Sequence, residues 1–257
     1  IEDAVLAGNL EMAGKYLDWE SFVLRYVLDE AVLNQDTGVS SMYFYKPEGE
    51  QKLYSGPIWD YDRCFGSGHM TGWTSHKIMA ATELQNYKGE IALTWYPVLY
   101  QNEWFQAQVK EKYRDIIRPY LLEMLNKGID SYVSLIEKSV EMDAIRRDYS
   151  RYETGYYKSY ENNIRYLKFF LAKRLEFLDE EWLGEESNYT EKGNGQIHTV
   201  TFRGDEETVV VEIPDCERLL IVPEELLKEG QWWYNVYDDQ PYTPDLPVLE
   251  DVVFKAE

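Results

Sequence analysis

The chain has 257 residues, enough for one large domain and one small one. Its 47 Asp and Glu residues against 26 Lys and Arg leave a formal net charge of −21, which repels a phosphate backbone and argues against nucleic acid as a partner. No stretch reaches the roughly 18 apolar residues of a membrane span, and the widely separated Cys64 and Cys216 predict plain thiols instead of a disulfide framework.

The first quarter of the chain predicts a helix followed by a hairpin. Apolar residues recur at helical spacing over Trp19–Leu33, and Asp18 is placed to cap the helix N-terminus. After a polar break, Ser41–Lys46 is short and aromatic, as strands are, and Pro47–Glu50 predicts a turn. A second extended segment, Lys52–Trp59, completes the predicted hairpin.

Helical periodicity dominates from Trp95 to about Trp182 and then stops. We predict helices over Glu103–Asn126, from Asp130 to about Asp148, and over a last stretch ending near Trp182. Beyond the polar, Gly-containing stretch 184–195, the residues alternate with the period of two that is typical of strands. The predicted fold class is therefore α+β, with a mostly helical domain over 1–184, a linker over 185–195 and a small β-rich domain over 196–257.

Three acidic residues flank the predicted hairpin. A chain that leaves along one strand and returns along its antiparallel partner ends beside its starting point, so Asp36 and Asp60 are expected to meet. Asp62 follows two residues later. Converging carboxylates repel one another unless a proton or a cation intervenes, and hard oxygen ligands select Mg²⁺, Mn²⁺ or Ca²⁺. We therefore expect a divalent metal site.

The order of these parts matches that of phosphate-transferring kinases. Those enzymes carry a catalytic-loop Asp, a polar metal ligand five residues later, a hairpin, and then a metal-binding Asp. Asp36 fits the first role, Ser41 stands at the second where Asn is common, and Asp60 fits the last. Arg63 is placed either to contact phosphate or to neutralise the neighbouring carboxylates.

The segment Gly56–Gly66 resembles the Gly-Pro-x-Trp-Asp-x-Asp-x-x-Phe-Gly motif of the CotH family of atypical spore-coat kinases. Residues 34–36, Met42–Lys46, Tyr166–Lys168 and Lys173–Leu178 also resemble family positions, and the similarity covers residues 18–182. It implies an atypical kinase-like fold with the hairpin at the active site, ATP with Mg²⁺ or Mn²⁺ as cofactors, and phosphorylation of Ser in Lys/Arg-rich bacterial coat proteins.

The resemblance also implies roles for individual residues. Asp36 is the expected catalytic residue, the expected metal ligands are Asp60, Asp62 and Ser41, and Asp60 and Arg63 are expected to contact the nucleotide. The small N-terminal lobe of kinases has no counterpart before Ile1, so the chain is expected to be truncated, which leaves open its activity on its own.

The C-terminal segment resembles the internalin B-type β-grasp repeat of bacterial surface proteins. The matching features are His198–Phe202, the Val-rich stretch after it, Trp233-Tyr234 and the closing Val252–Ala256. Such a repeat implies a spacer or adhesion role outside catalysis. Together with the CotH resemblance, it implies a secreted, cell-surface or spore-coat location.

Two other functions remain open. The chain is alternatively a non-catalytic surface module that adheres or binds carbohydrate through its Tyr and Trp side chains, for example the Tyr cluster over 149–160. A third hypothesis is a glycoside hydrolase with Asp36 and Asp60 as its carboxylate pair. The sequence does not predict an oligomeric state.

Overall fold

The structure is a computed structural model that describes two compact units. The first unit comprises residues within 1–66, 75–128 and 171–188, and the second comprises residues within 129–170 and 189–256. The domain bounds predicted from sequence stay a prediction, because a compact unit need not coincide with a family domain. The described residues are 1–34, 36–38, 40–66, 78, 80, 84–85, 91–92, 95–146, 157–204, 207–220, 222–223, 226, 232–237, 241–244 and 246–256.

Short helices and one longer helix open the first unit, namely α1 (Glu2–Leu6), α2 (Leu10–Ala13) and α3 (Trp19–Ala31). The predicted cap is confirmed, since the Asp18 carboxylate accepts the Ser21 N–H at 3.0 Å. Helix α3 ends slightly before the predicted Leu33. That residue adopts a left-handed backbone with φ of 54°, which no α-helix continues.

A two-stranded hairpin follows α3, as predicted, although its strands β1 (Phe44–Tyr45) and β2 (Tyr54–Ser55) are shorter than expected. They pair antiparallel, with Phe44 opposite Ser55. The predicted turn is closed by a hydrogen bond from the Glu50 N–H to the Pro47 carbonyl at 3.2 Å. The Ser55 N–H donates to the Ser21 hydroxyl at 3.1 Å, so the hairpin is anchored on the first turn of α3.

The predicted helix over Glu103–Asn126 is present, but two π-helical turns interrupt it. Asn102 caps its start by accepting the Trp104 and Phe105 N–H groups. The other elements of this unit up to residue 128 are a 3₁₀ helix (Tyr61–Arg63), β3 (Leu84–Gln85), β4 (Ile91–Ala92), α4 (Trp95–Leu99), α5 (Glu103–Lys112), a π-turn (Tyr113–Ile117), α6 (Arg118–Glu123) and a second π-turn (Met124–Gly128). The second half of the helix Tyr160–Leu178 and a third π-turn (Asp179–Leu183) also belong to it.

Aromatic rings form the core of the first unit around Tyr26, which is fully buried. The rings of Tyr96, Phe105 and Trp182 lie 5.0 to 6.4 Å from it. Beside this core, the wholly buried Arg174 donates to the Glu30 carboxylate at 2.7 Å and to the Glu30 carbonyl at 2.6 Å. The buried charge is therefore both paired and hydrogen-bonded, as its loss of hydration requires.

The second unit contains the predicted β-rich segment. Its helical part is α7 (Ile129–Arg146) and the first half of α8 (Tyr160–Leu178), and its strands are β5 (Ile197–Arg203), β6 (Thr208–Pro214), β7 (Trp233–Asn235) and β8 (Val252–Ala256). They form one sheet in the order β6-β5-β8-β7, in which β5 and β8 run parallel and the other pairs antiparallel. The sheet has its own apolar core, which includes Val200, Phe202 and Trp233.

The mixed α+β class is confirmed by these elements. Cys64 and Cys216 are free thiols, as predicted. Of the Tyr cluster, Tyr157 is buried and donates to the Pro247 carbonyl, Tyr160 is exposed, and the members before residue 157 lie outside the described residues. Over the described part of the chain, no helix combines the length and the apolar character needed to cross a bilayer.

Candidate functional site

The hairpin brings two of the predicted carboxylates to one place, with a hydroxyl between them. Ser41 Oγ lies 3.4 Å from Asp36 Oδ2 and 3.3 Å from Asp60 Oδ2. Asp36 and Ser41 precede β1, whereas Asp60 follows β2, so the antiparallel pairing accounts for the meeting. A single hydroxyl proton cannot serve two acceptors fully, so these long contacts describe three neighbouring oxygens and no tight hydrogen bond.

Asp36 is the protected member of the pair, with 7 % of its surface exposed. Its backbone N–H donates to Asn34 Oδ1 at 3.2 Å. Its Oδ1 atom faces Arg63, whose Nη1 atom lies 3.8 Å away, while its Oδ2 atom faces Ser41. The guanidinium therefore balances part of the negative charge that two neighbouring carboxylates bring together.

Asp60 is exposed and stands at a strained position of the backbone. It adopts the left-handed conformation, with φ of 61° and ψ of 55°, directly before a short 3₁₀ helix (Tyr61–Arg63). Ser41 is also left-handed, with φ of 55°. Such conformations are uncommon for residues with a Cβ atom, and they concentrate at functional sites. Both residues that contribute oxygens from the two ends of the hairpin are thus held in strained geometry.

A buried polar layer lies behind these oxygens and centres on Asp29, which is fully buried in α3. Its Oδ2 atom accepts from Arg25 Nε at 2.9 Å. Its Oδ1 atom accepts from Asn34 Nδ2 at 3.1 Å and from the Tyr61 hydroxyl. Asn34 in turn holds the Asp36 N–H, and Tyr61 is the neighbour of Asp60, so one carboxylate reaches both loops of the site.

Two other groups near the site stay protonated at neutral pH. Burial, followed by the charge of Asp29 and its hydrogen bond, raises the pKa of Tyr61 well above its ordinary value, and Arg25 only partly offsets this. Burial likewise raises the pKa of the Cys64 thiol, with further contributions from Asp29 and Asp36. The Tyr61 hydroxyl therefore remains a hydrogen-bond donor, and Cys64 is not a thiolate nucleophile.

A family model described as CotH kinase protein matches residues 8–178, which is more than half of the chain. The chain belongs to the CotH kinase family. The match includes the whole Asp36, Ser41 and Asp60 arrangement and all of α3. No curated protein and no solved structure gave a significant match.

Membership in the CotH kinase family implies the use of ATP and a divalent cation in general, and the site oxygens fit such a cation. Carboxylate and hydroxyl oxygens are hard ligands, and Mg²⁺ is commonly bound through one or two carboxylates together with substrate phosphates. Asp36 and Asp60 each supply a carboxylate oxygen within 3.4 Å of the Ser41 hydroxyl oxygen, which is the third oxygen of this kind. The donor set therefore suits a metal–nucleotide complex better than a metal ion enclosed by protein ligands alone.

The structure places two of the three expected carboxylates, those of Asp36 and Asp60, beside Ser41. Among the residues it describes, no group of three or more His, Cys, Asp or Glu side chains is arranged to hold a metal ion. Asp62 is exposed on the 3₁₀ turn, and the Ser41 hydroxyl stands as the third oxygen beside Asp36 and Asp60. The proposed role of Asp62 as a ligand stays a prediction.

Sequence reasoning missed most of the buried layer of this CotH-family site. The sequence pattern predicts Arg25 and Asp29 as members of a helix, and a charged pair four residues apart in a largely apolar helix is the signal that indicates a buried ion pair. Asn34 follows the predicted helix, and its N–H donates to the Asp29 carbonyl at 2.8 Å. Tyr61 occupies a variable position of the family motif, so no pattern pointed to it.

Proposed function

We propose that this chain is an ATP-dependent protein serine kinase that uses Mg²⁺ or Mn²⁺ and phosphorylates Ser in Lys/Arg-rich proteins. The observation that carries the proposal is the placement of Ser41 between Asp36 and Asp60, inside the segment that matches the CotH kinase family. Family membership supports kinase chemistry over glycoside hydrolysis. The placement of Ser41 between two carboxylates supports the proposed site residues.

Each site residue receives a role that suits its surroundings. Asp36 is largely buried and oriented by its neighbours, so it would orient the substrate hydroxyl and accept its proton. Asp60 would hold the cation together with Ser41 and Asp62, and Arg63, with Asp60, would contact the nucleotide. A bound cation neutralises charge on the nucleotide phosphates.

Charge and exposed aromatic rings support a basic protein substrate. The net charge of −21 attracts Lys- and Arg-rich segments and slows the approach of acidic ones. Beside Asp60, the Trp59 ring is 59 % exposed and meets the Tyr43 ring edge-on at 6.3 Å. Exposed Trp and Tyr faces bind Lys and Arg side chains by cation–π contacts. A spore-coat, cell-surface or secreted bacterial location is proposed with this substrate class.

The test is transfer of labelled γ-phosphate to a Lys/Arg-rich peptide that contains one Ser, in the presence of Mn²⁺. We expect transfer by the wild-type chain, and a loss of at least about 100-fold in Asp36→Asn and Asp60→Asn, because each removes a group that acts on the reacting atoms. Glu48→Gln is the matched control, since it neutralises an exposed carboxylate in the turn of the same hairpin. It is expected to keep wild-type activity.

Two outcomes would contradict the proposal. Absence of transfer, together with a melting temperature that ignores Mg-ATP, would leave the non-catalytic surface module as the better function. Transfer that persists in both Asp36→Asn and Asp60→Asn would show that the site residues are wrongly assigned even if the chain is a kinase.

We propose further that residues 196–257 form an internalin B-type repeat that acts as a spacer or adhesion unit. The support is a sheet with its own apolar core in this segment. Folding of residues 189–257 expressed alone, seen as dispersed amide signals in an NMR spectrum, is the expected result. A spectrum typical of an unfolded chain would refute an independent module.

A further inference from the structure

We propose that Asp29 is a positioning residue. Its single carboxylate holds the loop of Asp36 and the loop of Asp60 in a fixed relative position. It contacts neither Asp36 nor Asp60 directly in the contacts described above. It acts on the first through Asn34 and on the second through Tyr61. The catalytic part of this inference rests on the proposed function, whereas its structural part does not.

The connection to the Asp36 loop has two steps, both buried. Asn34 is 1 % exposed, and its amide Nδ2 donates to Asp29 Oδ1 at 3.1 Å. Its amide Oδ1 accepts the Asp36 N–H at 3.2 Å. Because both ends of the Asn34 amide are engaged, turning the amide over would break both bonds, and together they tie the Asp36 backbone to α3.

The connection to the Asp60 loop is direct. The Tyr61 hydroxyl donates to the same Oδ1 atom of Asp29, and Tyr61 is covalently next to Asp60. Arg25 holds the other carboxylate oxygen, Oδ2, through its Nε atom at 2.9 Å, and its guanidinium also lies 5.4 Å from the centre of the Tyr61 ring. The ion pair thus fixes the orientation in which Oδ1 meets both donors.

The direct contacts between the two loops are too weak to fix their relative position, so another constraint is required. The Ser41 contacts of 3.3 and 3.4 Å are long for hydroxyl hydrogen bonds. Asp60 and Ser41 both hold left-handed conformations, which persist only where the surroundings impose them. The buried layer around Asp29 supplies that constraint, together with the backbone bond from the Phe65 N–H to the Val32 carbonyl.

The chain contains a closely matched control for this device. Asp179 is also fully buried in the first unit, and it accepts from the Tyr113 hydroxyl at 2.8 Å and from Arg118 Nε at 2.8 Å. Asp179→Asn and Tyr113→Phe therefore remove the same chemical groups as Asp29→Asn and Tyr61→Phe, from a cluster whose described hydrogen bonds do not include Asp36, Ser41 or Asp60. Any effect of general destabilisation appears in both pairs.

The first measurement is backbone hydrogen exchange of the Asp36 amide in these four variants, which needs no enzymatic activity. We expect exchange to become about tenfold or more faster in Asp29→Asn, because opening of the loop becomes local instead of global. Tyr61→Phe is expected to accelerate it less, since the connection through Asn34 remains. The two control variants are expected to leave it near the wild-type rate under strongly native conditions.

The second measurement is the split between kcat and KM for phosphate transfer. In Asp29→Asn the loops of Asp36 and Asp60 lose their fixed relative position. We expect kcat to fall about 10- to 100-fold with a small change in peptide KM, because displaced site residues disturb the geometry of the reacting atoms. The inference is overturned if Asp29→Asn and Asp179→Asn change kcat equally and leave the Asp36 amide equally protected. A wild-type chain without transfer would refute the proposed function, and hydrogen exchange would still decide the role of Asp29.

Discussion

The left-handed backbone of Asp60 predicts that two substitutions with the same loss of function differ in stability. The left-handed conformation costs a residue with a Cβ atom about 1–2 kcal/mol of folding free energy. Gly adopts this conformation without that cost, but its greater loss of backbone entropy on folding costs about 0.5–1 kcal/mol. With φ of 61° at Asp60, Asp60→Gly is expected to be more stable than Asp60→Ala by about 1 kcal/mol. Both variants lose the carboxylate and its contact with Ser41.

Thermal unfolding and Mn²⁺ binding are measured on the same samples. The stability difference is expected to place the Asp60→Gly midpoint about 2–4 °C above that of Asp60→Ala, while neither variant binds Mn²⁺ with wild-type affinity. Equal midpoints would show that Asp60 is not strained in solution. Wild-type Mn²⁺ affinity in Asp60→Gly would remove Asp60 from the metal site.

Two further predictions concern buried charges outside the site. Arg174→Met leaves the Glu30 carboxylate buried without its ion-pair partner, and the free energy of unfolding measured in urea is expected to fall by about 3–5 kcal/mol; a loss below about 1 kcal/mol would contradict a buried pair. In the second unit, burial alone would raise the pKa of Asp215, but hydrogen bonds from Arg165, a backbone N–H and His198 outweigh it and lower the pKa to about 2. The ionised Asp215 therefore stabilises the fold by about 2 kcal/mol above pH 3.8, an effect lost as the pH falls toward about 2. Hydrogen exchange of the β5 and β8 amides measures this, and the difference in protection between wild type and Asp215→Asn is expected to shrink over that pH range. A difference that does not depend on pH would refute the stabilising role of the ionised carboxylate.

The parts of the fold that sequence predicted are those set by local patterns. Asp18 caps α3 because a side-chain oxygen three residues before Ser21 reaches its N–H. The hairpin follows from two short extended segments around Pro47–Glu50, and its antiparallel pairing places Asp36 near Asp60. These arguments need only neighbours in the chain.

The parts that sequence did not predict depend on contacts between distant residues. Asp29 and Tyr61 are separated by 32 positions, and their hydrogen bond depends on how the loop after β2 returns to α3. Period-two patterning predicted strands near residues 197 and 252, but could not show that β5 and β8 pair in parallel. Asp62 shares the family motif with Asp60 and lies exposed on the 3₁₀ turn, and its role as a ligand stays a prediction.

Asp36 and Asp60 lie in two separate loops, and we propose that they serve one cation site. Paramagnetic broadening of backbone amide signals during Mn²⁺ titration tests it most directly, because broadening falls steeply with distance from the ion. We expect the amides of Asp36 and of Tyr61–Arg63 to broaden together at the same Mn²⁺ concentration, and to stay sharp in Asp60→Asn. Broadening of one loop without the other, or of neither, would contradict the account.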